Sequence, residues 1–152
     1  RQTIQLGPGM RPDGWESRLN DFLESKRHIP FQWGVNDCYS LADGALAAQL
    51  GQSPISDWSG TYSSEWGCLL NYRRKLKRMA CEDIISAMDQ RMSRADVWLP
   101  SRGAICGRCD GLGASVMSIA FGVVVSDKIA FVGYDGLVFD TVKATDIFWS
   151  AA

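Results

Sequence analysis

The hydrophobic pattern changes from helical to strand-like at Pro100. Upstream of Pro100, apolar residues recur at the three- and four-residue spacing of amphipathic helices. Downstream, short apolar and β-branched runs alternate with turns rich in glycine and aspartate, as in antiparallel strands. Because the helices come first and the strands follow, the sequence predicts an α+β domain whose N-terminal helices pack on a C-terminal antiparallel sheet.

Four helices are predicted before Pro100, and the first three begin at polar residues of the type that caps helices. They begin near Asp13, near Asn36 or Asp37, near Ser63 or Ser64, and at Glu82. The first helix ends before Pro30, because the residue that precedes a proline avoids the α region. The second ends at Leu50, where Gly51 supplies a natural C-terminal cap.

Short antiparallel strands that form a meander are predicted in the C-terminal third. They lie within residues 102–109, 115–125, 128–132, 137–139 and 147–149. Asp135-Gly136 is the kind of dipeptide that forms a tight turn between two such strands. Residues 1–12 are rich in glycine and proline and predict an irregular N-terminal arm, with residues 13–152 as a single domain.

Charge and hydropathy exclude several function classes. The chain has 152 residues, a net charge of -1 and a pI of about 5.8, so nothing indicates a nucleic-acid-binding surface. No apolar run approaches the ~20 residues of a membrane span, and residues 1–11 lack the apolar core of a signal peptide. The five cysteines are odd in number and irregularly spaced, which favours a reducing compartment, at least during synthesis.

Cys38 is the strongest candidate for chemistry, because it lies at the predicted start of the second helix. A helix N-terminus favours a thiolate and so lowers the pKa of a cysteine there. A cysteine hydrolase also needs a base within hydrogen-bonding reach. The residues available to activate Cys38 are the adjacent Asp37 and the only histidine, His28, which lies upstream at the end of the first helix. The alternative is that Cys38 is a small buried residue with no chemical role.

Cys106 and Cys109 form a C-x-x-C pair, which is a weak candidate for a metal site. A redox pair or a coincidence of spacing explains it equally well. A second local pair is missing, since Cys68 and Cys81 are far apart in sequence. We therefore predict no cofactor.

A basic cluster at residues 73–78 and several tryptophans near predicted element ends are candidate contacts with a partner protein. The cluster fits either an acidic partner or an ordinary solvated helix face. An exposed tryptophan is a frequent anchor of protein interfaces. The predicted partner contacts are Trp58, Trp66, Arg73, Arg74 and Lys77.

The segment Trp33-Gly34-Val35-Asn36-Asp37-Cys38, with the small-residue helix after it, resembles the N-terminal half of the NlpC/P60-like papain-fold group. It is most similar to a phage-associated branch encoded among tail genes. The resemblance extends over roughly residues 14–149 and continues in the order of several shorter pieces. These are Gly60-Thr61-Tyr62, Arg102-Gly103-Ala104-Ile105, Phe121-Gly122-Val123-Val124-Val125, Asp135-Gly136-Leu137 and Trp149.

The resemblance implies a degenerate catalytic site. In active members the helix-start cysteine, here Cys38, is the nucleophile and a histidine opens a later strand. The similar strand here begins with Ala120, and alanine cannot accept a proton. The strand that would supply a third polar residue, residues 129–132, is apolar throughout. An aspartate expected after Arg102-Gly103 is replaced by Ala104.

The resemblance therefore implies a structural or assembly component of a phage tail, at its tip or hub, built on an inactive cysteine-peptidase scaffold. Its implied partners are other tail proteins of the hub or distal-tail type in a multi-protein assembly, with no nucleic acid. The implied location is the virion, after synthesis in the bacterial cytoplasm. The alternative is a cysteine peptidase or amidase that cleaves cell-wall peptides with Cys38 as nucleophile.

Overall fold

The computed structural model describes residues 11–96, 98, 100–109 and 119–151. The α-helices are α1 (Trp15–Lys26), α2 (Cys38–Leu50), α3 (Glu65–Met79) and α4 (Ile84–Arg91), with a 3₁₀ turn at Ser56–Trp58. The strands are β1 (Arg94–Ala95), β2 (Ile105–Arg108), β3 (Ala120–Val124), β4 (Lys128–Gly133), β5 (Gly136–Thr141) and β6 (Ile147–Trp149). The predicted α+β class is confirmed. Residues 1–10 of the predicted arm and 115–118 of a predicted strand lie outside the described residues.

Side-chain caps fix the starts of three helices. The Asp37 carboxylate accepts a hydrogen bond from the Ser40 backbone N–H, while the Ser40 hydroxyl accepts one from the Asp37 N–H, so α2 begins with a capping box. The side-chain oxygens of Ser64 and Asp83 cap α3 and α4 by accepting a hydrogen bond from the backbone N–H of Gly67 and of Ser86. The prediction that Asp13 caps α1 is wrong, because Gly14 intervenes in a left-handed conformation and α1 has no side-chain cap.

All neighbouring strands of the sheet are antiparallel, in the order β1-β6-β2-β3-β4-β5. Strands β2 to β5 form the predicted meander. Strand β6 then crosses back to pair with β2, where Cys106 faces Phe148. The two-residue strand β1, which the sequence analysis missed, pairs with β6 at Arg94 and Trp149.

Alternation along the strands creates an apolar cluster on each face of the sheet. The larger core lies between the helices and one face, and it includes Leu19, Leu41, Leu46, Met88, Ile105, Phe121, Val123 and Trp149. The smaller cluster on the opposite face consists of Ala104, Cys106, Val124, Ile129 and Phe148. The guanidinium of Arg108 lies 4.7 Å from the ring centre of Phe131, which packs against this smaller cluster.

Helix α2 is the central helix, and it contacts α1, β3 and β4. Its alanines at positions 42 and 45 are fully buried, and the phenyl ring of Phe22 lies against Gly44, where a Cβ would overlap it. This close packing brings α1 against the middle of α2. None of the helices in the described part of the chain combines the length and the apolar character that a membrane span requires.

Candidate functional site

The loop between α1 and α2 folds back on itself directly before Cys38. The Gln32 N–H donates to the Asn36 carbonyl over 3.0 Å, and the Asn36 N–H donates to the Gln32 carbonyl over 2.8 Å. The Asn36 side-chain amide donates to the carbonyls of Ile29 and Pro30, each over 3.0 Å. These bonds position the rings of Phe31 and Trp33, which meet edge to face at 4.8 Å, beside the start of α2.

The carboxylate of Asp37 connects this loop to the start of α2. It accepts hydrogen bonds from the backbone N–H groups of Gly34 (3.0 Å) and Ser40 (2.9 Å) and from the Tyr62 hydroxyl (2.6 Å). Asp37 is only 2% exposed. Asp37 therefore anchors the start of α2.

The thiol of Cys38 is not activated by its position at the helix start. Burial raises its pKa to about 11, and the negative charge of Asp37 acts in the same direction. Hydrogen bonds from the backbone of Phe121 and Tyr39 favour the thiolate, but they do not outweigh the burial. At neutral pH Cys38 is consequently a neutral thiol, which agrees with the alternative reading of Cys38 as a residue without a chemical role.

Cys38 lines a cavity of about 180 Å³ between the α1–α2 loop, α3 and strand β3. Ala120, the first residue of β3, lines the same cavity, so the structure brings together the two residues that the sequence resemblance paired. Among the described residues, no histidine lines this cavity. His28 is exposed and instead lines a separate surface groove with Arg27 and the β4–β5 turn. The cavity thus contains a candidate nucleophile and no imidazole.

Tyr72 and Glu65 are cavity residues that the sequence analysis missed. Tyr72 is 2% exposed, and its hydroxyl has no hydrogen-bond partner among the residues that the structure describes. Burial raises the pKa of this phenol, and the neighbours that raise it further include Tyr62, Cys38 and Cys68, all of which line the cavity. The spacing of Cys68 and Tyr72, one helical turn apart on α3, was the available signal that both face inward.

The predicted partner contacts divide into exposed and buried residues. Trp66 is 64% exposed on α3, and Arg73, Arg74 and Lys77 are exposed on the same helix. In the described part of the chain, none of these three cations forms an ion pair. The prediction that Trp58 contacts a partner is wrong, because the 3₁₀ turn directs its ring into the core and leaves it 1% exposed.

Cys106 and Cys109 are not placed as a pair of metal ligands. Cys106 is fully buried in the smaller apolar cluster, where burial and the nearby Asp146 raise its pKa to about 12. Cys109 lies beyond the end of β2 and is exposed. Within the described residues, no three histidine, cysteine, aspartate or glutamate side chains come together to hold a metal ion.

Fold and site together define an α+β protein in which a helix-start cysteine faces a partly aromatic cavity without an accompanying imidazole. The chain belongs to the family described as Domain of unknown function (DUF6950), whose family model matches residues 10–151. No curated protein and no solved structure matches the chain.

Proposed function

We propose that this protein is a non-catalytic structural or assembly component of a bacteriophage tail, built on a papain-like scaffold of the NlpC/P60 type. The observation that carries the proposed absence of catalysis is that Cys38 and Ala120 line one cavity that, among the described residues, has no histidine. General acid–base catalysis typically contributes ~10²–10⁴-fold to a rate, and the raised pKa of the half-buried Cys38 thiol leaves it neutral at pH 7, so that it does not compensate for a missing base.

The arrangement of α2 and β3 supports the papain-like part of the proposal. A cysteine opens a central helix, and the N-terminus of that helix packs on the antiparallel strand whose first residue is Ala120. Hydrogen bonding from the Phe121 backbone to Cys38 places the first residues of β3 next to the sulfur. A residue at position 120 is therefore suitably placed to act on Cys38 if it has a proton-accepting side chain.

The tail assignment is supported by the resemblance of the motif order and by an exposed surface suited to assembly. We define the α3 stripe as Trp66, Leu70, Arg73, Arg74 and Lys77, which are all exposed. Such a mixture of exposed apolar and unpaired cationic side chains is typical of protein-binding surfaces. The proposed partners are hub or distal-tail proteins.

Peptidoglycan digestion tests the absence of catalysis. The purified protein and its Cys38→Ala variant are incubated with peptidoglycan, and released peptides are quantified by mass spectrometry. We expect the two proteins to give the same background. Release that requires Cys38 would contradict the proposal and establish the alternative, a cysteine peptidase or amidase. An Ala120→His variant serves as the test of geometry, with Ala120→Gln as its control for side-chain size.

The composition of purified particles tests the tail assignment. Particles of a phage that encodes this gene are separated into heads and tails, and both fractions are analysed by quantitative mass spectrometry. We expect the protein in the tail fraction, and we expect a frameshift in the gene to leave incomplete tails. Intact, infectious particles that lack the protein would exclude a structural role and leave the peptidoglycan result unaffected.

A further inference from the structure

Five aromatic rings surround the cavity beside Cys38. They belong to Phe31, Trp33, Tyr39, Tyr62 and Tyr72. Tyr39 and Tyr72 meet edge to face at 5.8 Å, in the same manner as Phe31 and Trp33 at the cavity mouth. The face of an aromatic ring is negative and attracts cations, and this attraction is strongest where water is excluded. The cavity wall thus favours a positively charged group with an apolar surface.

The charges that line the cavity also favour a positively charged group. Asp37 and Glu65 contribute carboxylates, and no lysine, arginine or histidine lines the cavity in the part of the chain that the structure describes. Asp37 already accepts three hydrogen bonds. Glu65 is half-buried at the first position of α3, and among the described residues its carboxylate has no ion-pair or hydrogen-bond partner. An incoming cation would supply that partner.

The hydroxyl of Tyr72 is a polar group that can form a hydrogen bond with a ligand in the cavity. It is buried, has no partner among the described residues, and lies next to the cavity-lining side chains of Tyr62, Cys38 and Cys68. Buried polar groups in folded proteins are nearly always hydrogen-bonded. A phenolic oxygen accepts hydrogen bonds as well as donating them, so an N–H of an ammonium group is a suitable donor to it.

We propose that this cavity binds an alkylammonium group, with the aromatic rings around its alkyl part, the Glu65 carboxylate beside its charge and the Tyr72 hydroxyl accepting one of its N–H bonds. The volume of about 180 Å³ is similar to that of cavities that hold one small organic group. A groove lined by Phe31, Trp33, Glu65, Val132, Gly133 and Tyr134 shares four of these residues with the cavity. The groove gives the rest of the ligand a route outward.

The same chemistry is available from a free amine or from the lysine side chain of a partner protein. The inference rests on the proposed function only in that it treats the cavity as a binding site instead of a catalytic centre. Binding of an alkylammonium group in this cavity does not depend on the location of the protein in a tail.

A titration with n-butylammonium, followed by ¹H–¹⁵N NMR on the full chain at pH 7.5 and constant ionic strength, tests the proposal. The indole N–H of Trp33, assigned with a Trp33→Phe variant, reports on the cavity mouth. The comparison ligands are n-butanol, which has no charge, and tetramethylammonium, which has no N–H. We expect saturable binding that is tightest for n-butylammonium and weakest for n-butanol.

Two variants separate the contributions of charge and hydrogen bonding. Glu65→Gln should weaken the binding of n-butylammonium by about tenfold, which corresponds to about 1.4 kcal/mol of lost charge attraction. Tyr72→Phe should weaken n-butylammonium but leave tetramethylammonium unchanged. Glu16→Gln is the matched control, because Glu16 also lies in the first turn of a helix, away from the cavity. Its affinities should equal those of the unchanged protein.

The proposal is overturned if n-butylammonium does not saturate, if n-butanol binds as tightly, or if Glu65→Gln has no effect. Acetyl-Gly-Lys-Gly-amide and its Nε-acetylated form distinguish the two sources. If acetyl-Gly-Lys-Gly-amide binds and its Nε-acetylated form does not, the source is the lysine of a partner protein. If n-butylammonium binds and neither peptide does, the source is a free amine. Cys38-dependent peptidoglycan digestion would refute the proposed function without altering these affinities, so the two failures are distinguishable.

Discussion

Tyr39 and Tyr72 are neighbouring buried tyrosines whose hydroxyl groups have opposite environments. The Tyr39 hydroxyl donates to the Ile55 carbonyl over 2.7 Å, whereas the Tyr72 hydroxyl has no partner among the described residues. An unsatisfied buried hydroxyl costs about 1–3 kcal/mol, and a satisfied one contributes about 0.5–1.5 kcal/mol. The two hydroxyls therefore have opposite effects on the free energy of unfolding.

We expect Tyr72→Phe to leave the free energy of unfolding unchanged or raise it, and Tyr39→Phe to lower it by about 0.5–1.5 kcal/mol. Urea titration followed by circular dichroism measures both differences. Each variant is the control for the other, since the same oxygen is removed from the same residue type. Equal destabilisation by both changes would mean that the Tyr72 hydroxyl is hydrogen-bonded in solution.

The raised pKa of Cys38 predicts slow alkylation of this thiol. Because burial raises the pKa to about 11, only a minute fraction of Cys38 is thiolate at pH 7, and the thiolate is the reactive form. In native protein treated with iodoacetamide between pH 6 and pH 9, Cys38 should remain largely unmodified by mass spectrometry. The exposed Cys109 is the internal control and should be modified first. Rapid modification of Cys38 below pH 7 would contradict this expectation.

The position of Cys38 was predictable from sequence, but its chemical state was not. Asp37, Ser40 and Gly51 are local signals, and they identify the start and end of α2. The pKa of the thiol is raised by burial, which depends on the packing of elements distant in sequence, while the backbone of Phe121 in β3 partly opposes that rise. Local sequence therefore leaves open whether Cys38 is a nucleophile or an ordinary packed thiol, and the tertiary packing, which raises its pKa, favours the second.

At the scale of the element, the predicted starts of α2 and α3 are confirmed because capping side chains fix them. Element orientation was harder to predict. Trp66 and Leu70 of α3 are exposed, whereas Cys68 and Tyr72 face the core. The core face of this helix could not be read from the sequence, because large apolar residues occur on both of its sides.

The turn before α2 depends on Gly34, and replacing this residue should disturb the whole element. Gly34 has a φ of 77°, and a Cβ at this position would overlap the carbonyl oxygen of Tyr62. A left-handed conformation costs other residues roughly 1–2 kcal/mol, and the overlap adds to that cost. We expect Gly34→Ala to lower the free energy of unfolding by more than 2 kcal/mol, measured by urea titration.

Gly51→Ala is the matched control for the turn. Gly51 has a φ of 84°, yet a Cβ there would meet no atom within 4 Å. Gly51→Ala should therefore lower the free energy of unfolding only by the cost of the left-handed conformation, roughly 1–2 kcal/mol. Equal losses for the two variants would show that the Tyr62 carbonyl moves away without cost, and that the loop before Cys38 is less rigidly held than its contacts indicate.

At the scale of the whole molecule, Arg108 connects strand β2 with the chain segment before β6. Its guanidinium donates to the Asp146 carboxylate over 3.0 and 2.8 Å and to Asp140 over 2.7 Å. The Lys143 N–H also donates to Asp146, whose side chain is fully buried. Burial alone would raise the pKa of Asp146, but the hydrogen bonds from Arg108 and Lys143 hold it below its ordinary value.

This lowered pKa predicts a loss of stability in acid. A carboxylate whose pKa is lower in the folded state stabilises the fold above the unfolded pKa of ~3.9, and this contribution is lost as the pH falls through the folded value. Asp146→Asn should lower the free energy of unfolding at pH 7 by about 3–5 kcal/mol, because Arg108 loses a buried partner. The variant should also show a weaker dependence on pH below ~4.

Thermal and urea unfolding between pH 2 and pH 7 measure this dependence, with the exposed Asp13→Asn as a charge-matched control. The free energy of unfolding of Asp13→Asn should equal that of the unchanged protein at every pH. A pH profile of Asp146→Asn parallel to that of the unchanged protein would mean that other carboxylates cause the acid sensitivity.

The position of β6 between β1 and β2 has a consequence for the order of folding during synthesis. The helices leave the ribosome first, but an internal strand of the sheet is supplied only once residues 147–149 have emerged. Until then the edge of β2 is unpaired and Trp149 is absent from the main core. Since such long-range pairing forms slowly and exposed strand edges invite aggregation, a nascent chain stalled before Ile147 should be a better substrate for chaperones than the finished one.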